Sequence, residues 1–172
     1  MDQFTKLHLW NLTDYDWILY MDSDAFIVRS IVPMVSFVAA SQQEHPIWAV
    51  RDVGIFSKGF NMGTFMARPN STEFSTLIST LHNDHKLFFV EEWMEQGFLN
   101  AVYQNRWGEI PAIHGGMNLA LWSEDRQVWR RNASKMQVIH FTMVKPWNWF
   151  CPWTEYAPLC YLFWNMDSMK FH

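Results

Sequence analysis

Short apolar runs alternate with amphipathic stretches along most of the chain, and this alternation limits the possible folds more than any other feature of the sequence. Strands that alternate with helices favour an α/β fold with a parallel or mixed sheet. The predicted elements are strands over residues 15–21, 47–50, 64–67 and 136–141 and helices over residues 33–40, 70–86 and 93–102. Residues 146–172 hold three prolines and nine aromatic residues without a clear period, so we expect an irregular segment there.

Size and composition fit one folded domain. The chain has 172 residues, of which 49% are apolar and 17% charged, against about 25% charged in an average protein. The net charge of −4 provides no basic surface for nucleic acid. The longest apolar run covers residues 31–40, whereas a membrane-spanning helix needs about 20 apolar residues, so no such helix is predicted. Two cysteines are too few for a disulfide framework or a cysteine-rich zinc site.

An acidic pair follows the first predicted strand directly. Asp22 and Asp24 come after the apolar run 17–21, and ligands of α/β sheets bind beyond the carboxyl ends of strands. Two carboxylates at this spacing can bind a hard divalent cation, which could neutralise a diphosphate leaving group. The same spacing recurs at Asp14 and Asp16, before the strand, where we interpret it as turn chemistry. Taken alone, Asp22 and Asp24 fit a solvated turn as well as a metal site.

Further polar residues lie inside or beside apolar segments. His140 lies within a predicted strand, and an imidazole added to two carboxylates suits Mn²⁺ better than Mg²⁺ or Ca²⁺. The alternative is a hydrogen-bonded core histidine. Lys145 offers a positive charge for a phosphate, or is an ordinary surface lysine. Gly63 follows Asn61 just before a predicted strand, where the missing side chain lets a ligand approach the backbone.

Several of these segments, taken in order, resemble the retaining glycosyltransferases of the glycogenin type, family 8. No single block is decisive, but their order is hard to obtain by chance. The matching blocks are Lys6-Leu7-His8-Leu9-Trp10, Leu12-Thr13-x-Tyr15, Tyr20-Met21-Asp22-Ser23-Asp24, Ala49-x-x-Asp52-x-Gly54, Phe60-Asn61-Met62-Gly63, Glu95-Gln96-Gly97-Phe98-Leu99-Asn100, and His140-Phe141 followed by Lys145-Pro146-Trp147-Asn148.

The resemblance implies a nucleotide-diphospho-sugar transferase fold, a Rossmann-like mixed sheet flanked by helices. It also implies transfer of a sugar from a UDP-sugar to a glycan, protein or lipid acceptor, with retention of anomeric configuration. Asp22, Asp24 and His140 would hold Mn²⁺ on the donor diphosphate, and Lys145 would bind its phosphate.

The resemblance further implies roles around the donor sugar. Lys6 would lie near the donor, and Asn61, Gly63, Glu95 and Gln96 would line the sugar site. Gln96 matches the residue that faces the reacting carbon, and Glu95, beside it, is the second catalytic candidate. We expect a partial transferase domain over residues 1–148, without the family's N-terminal region, and an aromatic-rich segment over residues 149–172 that packs on it.

Three departures from the family pattern keep a non-enzymatic alternative open. Glu95 stands where the family usually has aspartate, and a shift of about 1 Å in a catalytic group can cost about a hundredfold in rate. Residues 142–144 lack the family's glycine. We also expect the family's N-terminal region to be absent. The alternative is an inactive transferase-like domain that binds a glycan or a protein through its aromatic segment, without metal. A metal-dependent hydrolase on the same carboxylates is a weaker third possibility, because no residue stands out as a general base for water.

The cysteines and glycosylation sequons bear on the compartment. Cys151 and Cys160 either pair in a lumenal compartment or remain buried thiols. Sequons begin at Asn11, Asn70 and Asn132, and glycans attach to such sites in loops of secreted proteins. These features favour the Golgi lumen, or association with its membrane, over the cytoplasm.

Overall fold

The computed structural model describes residues 2–52, 59–83, 94–117, 135–142, 144–149, 151 and 157–165. The chain starts with a 3₁₀ segment, Asp2–Asn11. The strands are β1 (Ile18–Met21), β2 (Ala25–Ile27), β3 (Ile47–Arg51), β4 (Phe60–Ala67), β5 (Trp107–Ile110), β6 (Gly115–Met117) and β7 (Val138–His140). The helices are α1 (Val32–Ala39), α2 (Ser71–Asn83), α3 (Met94–Val102) and α4 (Ala157–Asn165).

Two mixed sheets confirm the predicted α/β class. The larger has the order β1-β4-β3-β5, in which only β3 and β5 run parallel. The smaller has the order β2-β7-β6, in which β6 and β7 run parallel and β2 and β7 antiparallel. A tight turn between β1 and β2 carries the chain from one sheet to the other, so residues 22–24 lie where the two sheets meet.

Most predicted elements are present with adjusted ends. The strand predicted over residues 15–21 is β1, and the helix predicted over residues 70–86 is α2, of which residues 84–86 lie outside the described residues. Asn70 caps α2 as predicted, because its Oδ1 accepts from the Glu73 backbone N–H at 3.0 Å. The second long helix is observed as α3, and its predicted first residue, Trp93, lies outside the described residues.

Asn61 and Gly63 were expected to precede a strand, and this is wrong, because both lie inside β4. The prediction relied on the run 64–67, because asparagine and glycine, the residue types at positions 61 and 63, are depleted in strands and weaken the signal at the start of β4. The side-chain amide of Asn100 extends the pairing there: it accepts from the Phe60 N–H and donates to the Phe60 carbonyl, both at 2.8 Å. The side chain of Asn100, from α3, thus makes the two hydrogen bonds to Phe60 that a neighbouring strand would otherwise make.

The segment expected to be irregular also contains a helix, α4. Its sequence is apolar on every side and shows no helical period, so patterning cannot predict it. A disulfide joins Cys151 to Cys160, and the Phe163 ring packs edge-on against Phe26 of β2 at 4.8 Å. Tertiary contacts therefore stabilise α4 on the smaller sheet.

Buried aromatic rings supply much of the core. Trp10 is fully buried and stacks between Phe65 of β4 and Tyr103. Aromatic side chains bury large areas each, so the high aromatic content serves the core at these positions.

Within the described ranges, no helix combines the length and the apolar character that crossing a membrane requires.

Candidate active site

Asp22, Asp24 and His140 converge where the two sheets meet. Asp22 follows β1, Asp24 leads into β2, and His140 ends β7. The Asp22 N–H donates to the Gly63 carbonyl, and the Phe141 N–H donates to the Asp24 carbonyl, both at 2.9 Å. The backbone of the turn is therefore tied to both β4 and β7.

These three side chains can provide three ligands to one cation. His140 Nε2 lies 3.2 Å from Asp24 Oδ1 and 3.9 Å from Asp22 Oδ2. One ligand atom from each residue lies within 4.8 Å of the others. Two carboxylate oxygens and an imidazole nitrogen suit a divalent ion such as Mn²⁺. The structure thus assembles the predicted ligand set from residues far apart in sequence.

Lys145 lies on the side of Asp24 away from His140. Its ammonium pairs with Asp24 Oδ2 and donates to the carbonyls of Phe141 at 2.6 Å and Thr142 at 3.2 Å. Burial alone would raise the pKa of Asp24, but its hydrogen bonds to His140 and Lys145 outweigh burial and hold the pKa well below its usual range. Asp24 is therefore present as a carboxylate.

Lys6 joins the acidic pair to α3. Its ammonium lies 2.9 Å from Asp22 Oδ1 and 2.7 Å from Glu95 Oε1, over the ring of Tyr20 at 5.0 Å. Burial lowers the pKa of Lys6, yet the hydrogen bonds to Glu95 and Asp22 leave it above its usual value. Lys6 therefore carries a positive charge, and Glu95 is its ion-pair partner.

A second polar group lies between β3, β4 and α3. The side chain of Gln96 donates to Asp52 Oδ2 at 2.7 Å and accepts from the Met62 N–H at 3.1 Å. Asn61 Nδ2 lies 3.3 Å from both Asp52 Oδ2 and Gln96 Oε1. Burial raises the pKa of Asp52, although the hydrogen bonds from Asn61 and Gln96 partly oppose this rise. We call Asp52, Asn61 and Gln96 the amide network.

His140 connects the two groups. Its Nδ1 lies 3.0 Å from Asn61 Oδ1, while its Nε2 faces the carboxylates of Asp22 and Asp24. The ring lies against Gly63, where an added Cβ would come within 2.0 Å of His140 Cε1. Gly63 therefore leaves room for the histidine, a purpose that its sequence position did not reveal.

All nine predicted site residues lie in or beside these two groups. Sequence reasoning placed Asp52 in a matching block but not in the site. A signal for it existed, because Asp52 directly follows β3, at the carboxyl end of a strand, as Asp22 follows β1. Tyr20 was also missed: its hydroxyl donates to Asp22 Oδ1 at 3.0 Å. Gly54, in the same block as Asp52, lies outside the described residues.

Comparison with known proteins assigns the fold to a class. No model of a known protein family matches the chain. Its structure resembles that of the galactosyltransferase LgtC, solved in complex with donor and acceptor sugar analogs, with a TM-score of 0.65 and 17% identity over 93% of this chain and 65% of that one. The fold is therefore that of the glycosyltransferases.

Sequence relatives narrow this class. Glycogenin-1 of Caenorhabditis elegans is 27% identical over 156 residues, which cover 84% of this chain and 32% of that protein. UDP-glucuronate:xylan alpha-glucuronosyltransferase 1 of Arabidopsis thaliana is 27% identical over 154 residues, which cover 84% of this chain and 21% of that protein. The chain is thus a relative of the glycogenin-type glycosyltransferases, and it spans about a third or less of the length of these two relatives.

Proposed function

We propose that this chain carries the donor site of a retaining glycosyltransferase that uses Mn²⁺ and a UDP-sugar. The convergence of Asp22, Asp24 and His140 carries the proposal, because their ligand atoms lie within 4.8 Å of one another at the carboxyl end of β1. The name of the Arabidopsis relative, which includes UDP-glucuronate, supports a UDP-linked donor. The acceptor is a glycan, a protein or a lipid.

The bound cation would supply positive charge to the diphosphate leaving group. Asp22, Asp24 and His140 would hold it, and Lys145, beside Asp24, lies where its ammonium can turn to a phosphate oxygen. Charges placed before the reaction stabilise the developing charge of a leaving group at low reorganisation cost. Departing UDP would then meet two kinds of positive charge, the bound cation and the ammonium of Lys145.

The sugar would lie between these charges and α3. Lys6 bridges Asp22 to Glu95 of α3, whereas Lys145 pairs with Asp24. We propose that Glu95 positions Lys6 and that Gln96 faces the reacting carbon. Glu95, one methylene longer than the aspartate usual in the family, reaches the ammonium of Lys6 at 2.7 Å.

Calorimetric titration with UDP, with and without Mn²⁺, tests this proposal. We expect binding that requires the metal and is lost in Asp22→Ala. A screen of UDP-sugars, with the anomeric configuration of the product determined by proton NMR, then tests transfer and retention. Equal UDP binding in the wild-type chain and in Asp22→Ala, independent of metal, would contradict the proposal.

One observation favours the second candidate, a binding module. Among the described residues from 147 onward, four aromatic side chains are more than half exposed: Trp147 51%, Trp149 80%, Tyr161 54% and Trp164 51%. Aromatic side chains are enriched at protein interfaces. Binding of an immobilised glycan or protein that is unchanged by a metal chelator and lost in Trp147→Ala would favour this candidate over the transferase.

We also propose that the protein resides in the Golgi lumen. The Cys151–Cys160 disulfide fits an oxidising compartment, and Asn11 and Asn70 of two sequons are exposed. The third sequon, at Asn132, lies outside the described residues. Expression through a secretory pathway should yield a glycosylated chain whose mass falls on treatment with peptide N-glycosidase. An unglycosylated chain with two free thiols would contradict this proposal.

A further inference from the structure

The position of Lys145 depends on its backbone as well as on its ion pair. Its ammonium pairs with Asp24 and donates to the carbonyls of Phe141 and Thr142. These contacts hold the tip of a flexible four-carbon side chain. Since such a side chain can reach in several directions, the place of the ammonium also depends on where the backbone puts the Cα of Lys145.

Two backbone hydrogen bonds and a disulfide connect Lys145 to α4. The Asn148 N–H donates to the Lys145 carbonyl at 3.1 Å, and the Cys151 N–H donates to the Asn148 carbonyl at 2.9 Å. Cys151 is buried and is bonded to Cys160 of α4. A continuous path therefore runs from the backbone of Lys145 to this helix.

A side chain of α4 also reaches the residue that follows Lys145. Trp164 Nε1 donates to the Pro146 carbonyl at 2.7 Å. An indole N–H can only donate and a carbonyl can only accept, so the direction of this bond is fixed. Pro146 is buried, and a buried carbonyl that loses its donor is destabilising. The bond therefore favours the observed backbone position next to Lys145.

Ring packing ties α4 to the other partner of the ion pair. Phe163 packs edge-on against Phe26 of β2, with the ring centroids 4.8 Å apart, and against Trp147 at 6.3 Å. Asp24 leads directly into β2. The helix thus contacts both the segment that follows Lys145 and the strand that follows Asp24.

We propose that Trp164 is a positioning residue for Lys145 and that the Cys151–Cys160 disulfide keeps α4 in place for this role. The inference rests on the proposed function insofar as Lys145 is to bind a donor phosphate. Because α4 contacts the chain beside both Lys145 and Asp24, it determines how these two residues face each other. It gives a role in the donor site to a helix that lies outside the blocks matching the family.

Acylation of the metal-free chain with acetic anhydride tests the positioning without a nucleotide. Trp164→Phe keeps an aromatic ring and removes the N–H. Lys145 should then react about 2–10-fold faster relative to Lys135, the factor that corresponds to one hydrogen bond. Lys135 is exposed and serves as the internal reference, and peptide mass spectrometry measures both rates. An unchanged ratio of the two rates would overturn the inference.

Two further variants separate this contact from general loosening of the fold. Ser75→Ala removes another side-chain donor to a backbone carbonyl, the Ser75 hydroxyl 2.9 Å from the Ser71 carbonyl, at an exposed position of α2, and the ratio should not change. Replacing both Cys151 and Cys160 by serine should raise the ratio at least as much as Trp164→Phe. An equal rise in Ser75→Ala would overturn the inference, and an unchanged ratio in the serine variant would overturn the role of the disulfide.

A double-mutant cycle tests whether Trp164 acts on donor binding through Lys145. With Mn²⁺ present, Trp164→Phe should weaken UDP binding about 2–10-fold, and the same change added to Lys145→Met should have no further effect. An equal loss in both backgrounds would overturn the inference. Absence of UDP binding in a wild-type chain whose Lys145 acylation responds to Trp164→Phe would instead contradict the proposed function, so the two failures are distinguishable.

Discussion

The two polar groups of the site differ in how their charges are balanced. Around Asp22 and Asp24, three carboxylates meet the ammonium groups of Lys6 and Lys145, and every contact between them is an ion pair. In the amide network a single carboxylate, Asp52, accepts from two uncharged amides. Exposure differs as well, because Asp22 is partly exposed whereas Asp52 is buried.

Under the proposed function, this difference separates the residues that bind the ligand from those that support them. Ion pairs around a partly exposed acidic pair can exchange partners when another cation or a phosphate arrives, because the charges are partly solvated. A buried network with complete hydrogen bonds is rigid and costly to change. The candidate metal ligands Asp22 and Asp24 thus have exchangeable ion-pair partners, whereas His140 contacts Asn61 of the amide network.

Loss of Lys6 should have the largest effect on stability. Its side chain is 11% exposed and pairs with Asp22 and Glu95. Lys6→Met leaves two carboxylates without their cation, which should lower the free energy of unfolding by about 3–5 kcal/mol, measured by urea denaturation without metal. The matched control is Arg68→Met, which breaks the exposed pair with Glu44 at 3.7 Å and should cost about 1 kcal/mol or less. Equal losses in both variants would remove the distinction between site and surface ion pairs.

The chain contains a matched pair of acidic motifs for testing metal binding. Asp24→Asn should weaken Mn²⁺-dependent UDP binding about a hundredfold or more, equivalent to about 2.7 kcal/mol. Asp16→Asn changes the same residue type in the exposed motif before β1, and binding should be unchanged. A similar loss of UDP binding in both variants, measured by calorimetry, would show that binding depends on the overall negative charge of the chain and not on the position of Asp24.

Two glycines allow crowding at His140 to be compared with crowding elsewhere in the core. A Cβ at Gly63 would lie 2.0 Å from the His140 ring, and a Cβ at Gly115 would lie 2.7 Å from Val50 Cγ2. Each change to alanine should destabilise the fold by about 1–3 kcal/mol through overpacking. Only Gly63→Ala should also reduce Mn²⁺ affinity, because only there must His140 move. Unchanged Mn²⁺ binding in Gly63→Ala would place His140 outside the metal site.

Asp52→Asn should have the smallest effect, and it should depend on pH. The pKa of Asp52 is raised in the fold, so its contribution to stability is complete below the unfolded value of about 3.9 and is lost as pH rises through the higher folded value. The Asp52→Asn side chain does not ionise, so the variant does not lose stability in this way. The free energy of unfolding of Asp52→Asn, relative to that of the wild-type chain, should therefore increase from pH 3 to pH 7. Denaturation at both pH values measures this change, and a decrease would contradict the buried carboxylate.

Much of the polar group around Asp22 and Asp24 could be predicted from the sequence. Asp22 and Asp24 directly follow an apolar strand, and the rule on carboxyl ends of strands applies without further information. His140 was a candidate ligand from its place in an apolar run, but only the family resemblance joined it to Asp22 and Asp24, because a histidine in such a run does not reveal which residues it meets. The α/β class followed from the alternation of apolar and amphipathic runs.

The amide network could not be predicted in the same way. The bond between Asn61 and His140 spans 79 positions, and the direction of an amide depends on partners that only the folded chain brings together. The three-residue strands β2 and β6 and the uniformly apolar helix α4 give no periodic signal. These elements form because neighbouring elements pair with them or pack on them.

Electron–nuclear double resonance of the Mn²⁺ complex with UDP tests the central claim most directly, because it detects nitrogen bound to the metal. The account predicts a nitrogen coupling from one imidazole in the wild-type chain and its loss in His140→Gln. A wild-type complex without nitrogen coupling, or a coupling that persists in His140→Gln, would contradict the assignment of Asp22, Asp24 and His140 as the metal site.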